Sequence, residues 1–317
     1  MSDTDDYRYH RIFGEPGPAL AAPQPESVVG DHVPVGGYRF TRDSRLAVNV
    51  ALAAGRPLLV QGEPGCGKTM LALAVAQQTG WDFQAATVTS RTRAQDLQWT
   101  FDAVRRLRDA QAGPAGAGRK ADDGLRSYIR PGVFWRALAP RDAAEFVGVP
   151  APEPRERGVL LLDEIDKAEP DVPNDLLGPL GTLSFEVTDL GGYAVRNERP
   201  DAPPLVVLTT NEERDLPPAF LRRCVVLTLQ FPDEDELVDI GRRHFPDGPD
   251  DLLREVAAIT SQARKEAKRE GDRPPGTAEY IDAVRAAIRL GITPRGAKDE
   301  WFLVKRLTLA KWARPEE

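Results

Sequence analysis

The sequence predicts an α/β fold followed by a smaller all-helical part, and three observations support this. An apolar run, a glycine-rich loop and a helix-forming run follow one another at residues 58–76. Two further apolar runs, at residues 159–162 and 205–208, each lead into polar residues, as the buried strands of a parallel sheet do. From Pro232 onwards the sequence shows helical periodicity instead of strand-like runs.

The glycine-rich loop matches the pattern G-x-x-x-x-G-K-[ST] at every position from residue 62 to residue 69. Glycines allow successive backbone N–H groups to turn inward as an anion site, and a helix that starts at Lys68 adds its positive end. We expect Lys68 to reach the β- and γ-phosphates of a nucleotide, and the Thr69 hydroxyl to bind Mg²⁺. The residues expected to bind the nucleotide are Gly62, Glu63, Pro64, Gly65, Cys66, Gly67, Lys68, Thr69 and Met70.

Polar side chains follow the two later apolar runs. Asp163 and Glu164 come directly after four apolar residues, and Asn211 comes shortly after the next run. Because ligands gather at the carboxyl ends of parallel strands, Asp163 is placed to hold Mg²⁺ and Glu164 to orient and polarise an attacking water. Asn211 is placed to hydrogen-bond the γ-phosphate or that water. Arg222 and Arg223 precede a fourth apolar run, where they are either surface charge or residues that face a neighbouring subunit's nucleotide.

Three segments follow from composition and periodicity. Residues 1–35 contain many prolines and few large apolar residues, which predicts a mostly disordered tail. Residues 36–232 form the nucleotide-binding part, with a helix predicted over 96–111 and loops over 111–123 and 140–158. Residues 233–317 form the helical part. Asp233 and Glu236 are spaced as in a capping box that starts its first helix, and Ile281, Val284 and Ile288 share one face of a later helix.

Composition limits the possible functions. The chain has 317 residues, of which 41% are hydrophobic and 29% charged, as in soluble globular proteins. No apolar run approaches the ~18 residues of a membrane helix. Cys66 and Cys224 lack metal-ligand spacing and are not expected to form a disulfide, which fits a reducing cytoplasm. The net charge of −7 argues against broad nucleic-acid binding.

Four motifs in this order resemble those of the AAA+ ATPases. They are the Walker A loop at 62–69, the Walker B strand at 159–164, sensor 1 at 209–211 and the arginine finger at 222–223. Residues 163–168, 174–177 and 219–224 look closer still to the MoxR-like branch of the dynein-related subfamily.

The resemblance implies a P-loop αβα sandwich with a five-stranded parallel sheet and a helical lid. It also implies ATP and Mg²⁺ as cofactors, a homo-oligomeric ring that is commonly a hexamer, and a client protein that often carries a von Willebrand A domain. Glu164 would be the base, Asn211 the sensor, and Arg223 the finger, with Arg222 beside it. Where relatives often have a sensor 2 arginine this chain has Ala278, so Arg273 or Arg295 is a candidate substitute.

Two other functions remain open at this stage. One is a nucleotide-gated assembly switch with little hydrolysis, for which the absent sensor 2 arginine leaves room. The other is a motor directed at nucleic acid in a restriction-type system, which shares the implied fold but fits poorly with the acidic net charge.

Overall fold

The structure is a computed structural model that describes Phe13 and residues 37–112, 124–292 and 298–309. It divides into two compact units. The first, which we call the sheet unit, comprises Met1–Gly14, Asp43–Gln61 and Val75–Leu227. The second, which we call the helical unit, comprises Glu15–Arg42, Gly62–Ala74 and Thr228–Glu317. No helix in the described ranges is both long and apolar enough to cross a membrane.

The strands of the sheet unit are β1 Leu58–Gln61, β2 Asp82–Thr87, β3 Trp99–Phe101, β4 Ile129–Pro131, β5 Gly158–Asp163, β6 Ser184–Val187, β7 Tyr193–Arg196, β8 Leu205–Thr210 and β9 Val225–Thr228. Five of them form one parallel sheet in the order β2-β5-β8-β1-β9, while β3 pairs with β4 and β6 with β7 in small antiparallel sheets. The register places Leu162 opposite Leu208 and Gln61 opposite Thr210. The carboxyl ends of β5, β8 and β1 therefore meet at one edge, as the predicted αβα sandwich requires.

Helices flank this sheet: α1 Arg42–Ala54, α2 Lys68–Thr79, α3 Ala94–Gln98, α4 Ala103–Ala112, α5 Val133–Leu138, α6 Pro140–Val147, α7 Asp171–Asp175, α8 Leu177–Thr182 and α9 Pro218–Leu221. The apolar runs of β5 and β8 are buried along their length, which is why their sequences are continuously apolar rather than alternating. In contrast, β9 lies at the sheet edge and is only partly buried.

Two secondary-structure predictions were wrong. The helix predicted over 96–111 is interrupted by β3, because Trp99 is buried, stacks on Phe185 at 5.8 Å between ring centroids and donates its indole N–H to Asp189 at 2.8 Å. The loop predicted over 140–158 begins instead with α6. Pro140 occupies the first turn of this helix, where its fixed φ is favourable.

The helical unit contains α10 Glu234–His244, α11 Asp250–Glu270, α12 Thr277–Leu290 and α13 Lys298–Thr308. The predicted capping box opens α10, since Asp233 Oδ1 accepts from the Glu236 N–H at 2.8 Å and Glu236 Oε2 accepts from the Asp233 N–H at 3.1 Å. Ile281 and Val284 are buried in the core of this unit, but Ile288 is 38% exposed, so the predicted apolar face is shorter than expected.

One residue of the predicted disordered tail has a defined position. The Phe13 side chain is buried in the sheet unit, and its backbone is held by the side chain of Asn49 in α1. The Phe13 N–H donates to Asn49 Oδ1 at 2.7 Å, and Asn49 Nδ2 donates to the Phe13 carbonyl at 2.9 Å. The other residues of the predicted tail, up to residue 35, lie outside the described residues.

Candidate functional site

The glycine-rich loop follows β1 and ends where α2 begins. Gly62 and Gly65 have φ angles of 146° and 81°, which residues other than glycine rarely adopt. A Cβ atom at Gly62 would lie 2.3 Å from the Leu229 carbonyl oxygen, so the backbone there approaches too closely for any other residue. These constraints explain the two glycines and shape the loop as an anion cradle.

Lys68 is a buried cation within this loop. Its Nζ donates to the carbonyl of Gly62 at 2.7 Å and to that of Glu63 at 3.0 Å. A buried ammonium with three donors, held by loop carbonyls at the start of α2, suits a phosphate group. The loop therefore fits the polyphosphate of a nucleotide. Beside it, Tyr38 Cε2 would lie 3.4 Å from a Cβ at Gly67, and burial raises the pKa of Tyr38 above its ordinary value.

At the sheet edge, Thr209 connects Asp163, the last residue of β5, with Glu164, which follows it. The Thr209 hydroxyl donates to Asp163 Oδ1 at 2.5 Å and accepts from the Glu164 N–H at 2.9 Å. Thr209 is fully buried at the end of β8, which neighbours β5. It fixes the orientation of Asp163 and the backbone of Glu164 together.

Glu164 itself has a left-handed backbone with φ of 60°, which is uncommon for a residue other than glycine and marks a constrained position. Its carboxylate is bound on both oxygens. Lys167 Nζ donates to Oε2 at 2.7 Å, and Asn211 Nδ2 donates to Oε1 at 3.3 Å. The hydrogen bond from Lys167 to Glu164 raises the pKa of Lys167. The structure thus brings the predicted base and the predicted sensor residue into contact.

Asp166 supports this arrangement from beneath. It is 2% exposed, and its Oδ2 accepts from the N–H groups of Asn211 and Glu213 at 3.1 and 3.0 Å. Its Oδ1 is buried and has no hydrogen-bond partner among the described residues. A buried carboxylate is costly unless its hydrogen bonds repay it, so Asp166 serves to hold the turn after β8. The sequence analysis did not identify this role, although Asp166 lies only three residues after Asp163 and so close to the predicted site.

Residues 57–224 match the family model for the AAA domain of the dynein-related subfamily, and this span is more than half of the chain. The chain belongs to this AAA family. It is therefore a P-loop ATP hydrolase. No curated protein matches it.

Magnesium commonly accompanies ATP in P-loop ATPases, and two predicted donors of this chain have the chemistry that this ion requires. The donors that this AAA domain offers, the Thr69 hydroxyl and the Asp163 carboxylate, are oxygen ligands of the kind that Mg²⁺ prefers. Across the ranges that the structure describes, no group of three or more His, Cys, Asp or Glu residues could hold a metal alone.

The two arginines of the AAA domain that follow α9 are both exposed. The Arg222 carbonyl accepts from Arg56 Nη1 at 3.1 Å, and Arg223 Nη1 makes a long contact of 3.4 Å with the Ala219 carbonyl. Arg223 and Cys224 line an open cleft beside Arg56. Within the described part of the chain, no carboxylate pairs with Arg223.

The two cysteines are free thiols. Burial raises the pKa of Cys66, and it raises the pKa of Cys224 to about 11, so neither is a reactive thiolate near neutral pH.

The lid cations differ from those suggested by the sequence. Ala278 is exposed at the start of α12, Arg273 is exposed, and Arg295 lies outside the described residues. Instead, Arg264 and Lys268 of α11 both contact Glu63 of the loop. Sequence reasoning missed this pair, since no local pattern links residues 201 positions apart.

Proposed function

We propose that this ATPase works as a subunit of a ring of identical chains, MoxR-like and commonly hexameric, that uses ATP hydrolysis in the cytoplasm to remodel or activate a client protein. A protein with a von Willebrand A domain is the proposed client class, on the strength of the motif resemblance alone. The observation that carries the ring proposal is the exposed Arg223.

Arginine is suited to this role because its guanidinium is always charged and can bind phosphate oxygens through two donors. Arg223 lies two residues before the edge strand β9, exposed and without a carboxylate partner among the described residues. An arginine that is supplied by a neighbour to a transferring phosphoryl group contributes about 10³ to 10⁵ in rate. The position and charge of Arg223 support such a contribution to the next subunit's site.

The predicted site residues have distinct roles in this proposal. Lys68 and the loop amides bind the β- and γ-phosphates, and Thr69 and Asp163 hold Mg²⁺, which neutralises developing negative charge when it is bound. Glu164 orients the attacking water and accepts its proton, while Asn211 positions the Glu164 carboxylate. Little covalent chemistry is needed beyond positioning and charge neutralisation.

A mixing experiment tests the shared site. Glu164→Gln and Arg223→Ala should each be inactive alone, because each removes one half of every site. In a ring with random mixing, about one interface in four pairs an intact Glu164 with an intact Arg223, so the equimolar mixture should recover roughly a quarter of the parent rate. A mixture no more active than its components, although both variants assemble, contradicts the proposal.

The client proposal needs its own measurement. A separately purified candidate protein with a von Willebrand A domain should co-elute with the Glu164→Gln variant in ATP but not in ADP. Binding that ignores the nucleotide, or no binding at all, counts against this client class.

A nucleotide-gated switch is the second candidate function, and one specific observation favours it. Both oxygens of Glu164 already accept hydrogen bonds, one of them from the cation of Lys167, so neither oxygen is free of a protein donor when a water approaches. A parent protein that binds ATP and assembles, but shows no turnover at any concentration, would favour the switch. Turnover that appears with Lys167→Met would then identify Lys167 as its latch.

A further inference from the structure

The loop residue Glu63 is unusual because it carries a negative charge beside the phosphate site. We propose that Glu63, Arg264 and Lys268 form a clamp that positions the phosphate loop for ATP. All three residues belong to the helical unit. The inference depends on ATP binding at this loop and is independent of the ring and of any client.

Arg264 is the buried arm of the clamp. It is 5% exposed, and its Nη2 donates to Glu63 Oε2 at 2.6 Å. Nη1 donates to the carbonyl of Pro275, just before α12, and the guanidinium lies 3.4 Å from the centre of the Phe231 ring. Burying an arginine is costly, and an apolar side chain would fill the same space more cheaply. The guanidinium is therefore explained by its partners: the loop, the α12 start and the aromatic ring.

Lys268 is the exposed arm, one helical turn further along α11. Its Nζ donates to Glu63 Oε1 at 2.6 Å, so each carboxylate oxygen has its own cation. The hydrogen bond from Lys268 is the main reason why the pKa of Glu63 is lowered, which keeps the carboxylate charged. One negative and two positive groups leave a net positive charge attached to the loop, as an anionic ligand requires.

The backbone beside Glu63 is held in the same way. The Thr277 N–H at the start of α12 donates to the Gly65 carbonyl at 3.1 Å. A Cβ at Gly65 would lie 2.5 Å from Gly276 Cα, so the two backbones touch. Arg264 reaches both the residue before Gly276 and the side chain of Glu63, and it thereby fixes the loop and the α12 start together. We infer a positioning role for the clamp, with the cations acting on ATP through the loop.

The exposed pair gives a test that does not threaten folding. The variants are Glu63→Gln, Lys268→Gln and the double variant, with Lys265→Gln as the control on an exposed neighbouring position of α11. The readouts are the Kd of a fluorescent ATP analogue with Mg²⁺, the same for ADP, and kcat and KM separately. Each single variant should weaken ATP binding about two- to fivefold and raise KM by a similar factor, and Lys268→Gln should leave kcat near the parent value.

Because Glu63→Gln already breaks the contact that Lys268→Gln breaks, and the contact with Arg264 as well, the double variant should bind ATP no more than about twofold more weakly than Glu63→Gln alone. Lys268→Gln should weaken ATP binding more than ADP binding, since it removes positive charge, and its difference from the parent should shrink in high salt. The clamp would be overturned by parental ATP affinity in all variants or by an equal loss of affinity in Lys265→Gln. It would also be overturned if the affinity losses of the two single variants multiplied in the double variant.

Arg264→Lys tests the buried arm, because lysine keeps the charge but loses the planar fork that reaches Glu63 and Pro275 together. It should raise the Kd for ATP about tenfold, with Arg269→Lys, also on α11, as the control. If Arg264→Lys unfolds the helical unit, as a melting curve would show, the exposed-pair cycle decides the matter. Because the test measures ATP affinity, it does not depend on whether the ring hydrolyses ATP. A parent protein that binds no ATP would contradict the hydrolase function and not the clamp.

Discussion

Gly65 allows the sharpest prediction about the phosphate loop. Its φ of 81° and the 2.5 Å separation between a Cβ there and Gly276 Cα mean that Gly65→Ala meets two penalties. The left-handed backbone costs ~1–2 kcal/mol for an L-residue, and the clash with backbone atoms adds ~1–3 kcal/mol because neither segment can rotate away. If the loop relaxes by leaving this conformation, ATP binding weakens by at least about 2 kcal/mol, or roughly 30-fold.

The matched control is Gly271→Ala at the end of α11. Gly271 has a φ of 76°, but a Cβ there would meet nothing within 4 Å. It therefore shares the backbone strain and lacks the clash, so it should lower thermal stability slightly and leave the Kd for ATP unchanged. Equilibrium titration with a fluorescent ATP analogue measures the Kd of both variants, and a melting curve measures their thermal stability. The reasoning fails if Gly65→Ala binds within threefold of the parent, or if Gly271→Ala loses as much affinity.

Three further predictions concern charge. Glu164→Gln should keep ATP affinity and lower kcat at least about 100-fold, measured by phosphate release; a parental rate would exclude Glu164 as the base. Asp166→Asn should lower kcat about tenfold, because it weakens the support of the Asn211 and Glu213 amides, and should leave the Kd for ATP near parental; an unchanged kcat would remove that role. Burial lowers the pKa of His244 to about 4, so the folded protein keeps this side chain neutral where the unfolded chain is protonated. The free energy of unfolding is therefore unaffected above about pH 6.5 and decreases as the pH falls towards 4. In urea unfolding between pH 7 and 4, the free energy of unfolding of His244→Asn should decrease by up to about 3 kcal/mol less than that of the parent. The same pH dependence in both proteins would refute this.

Local sequence predicted those parts of the molecule whose physics is local. Four apolar residues in a row predicted β5 as a fully buried strand, and the capping box at Asp233 predicted the start of α10. The glycine-rich loop fixed the position of the first strand and helix around it, since strand, loop and helix are consecutive. The family match agrees with the AAA ATPase identified from these motifs.

Tertiary contacts account for what the sequence could not predict. The strand β3 interrupts a helical pattern because Trp99 finds partners in Phe185 and Asp189, far along the chain. The contact between Glu63 and Arg264 spans 201 residues and has no sequence pattern. The prediction from resemblance looked for one arginine near Ala278, whereas the cations that reach the loop come from the preceding helix.

The central claim, a site completed by a neighbouring subunit, is tested most directly by the ATPase rate per subunit as a function of protein concentration. The account predicts that the parent rate rises steeply as subunits assemble. It also predicts that Arg223→Ala stays flat and at least about 1000-fold slower while it still binds ATP. A parent rate that is independent of concentration down to the monomer, or an Arg223→Ala variant that hydrolyses ATP like the parent, would contradict it.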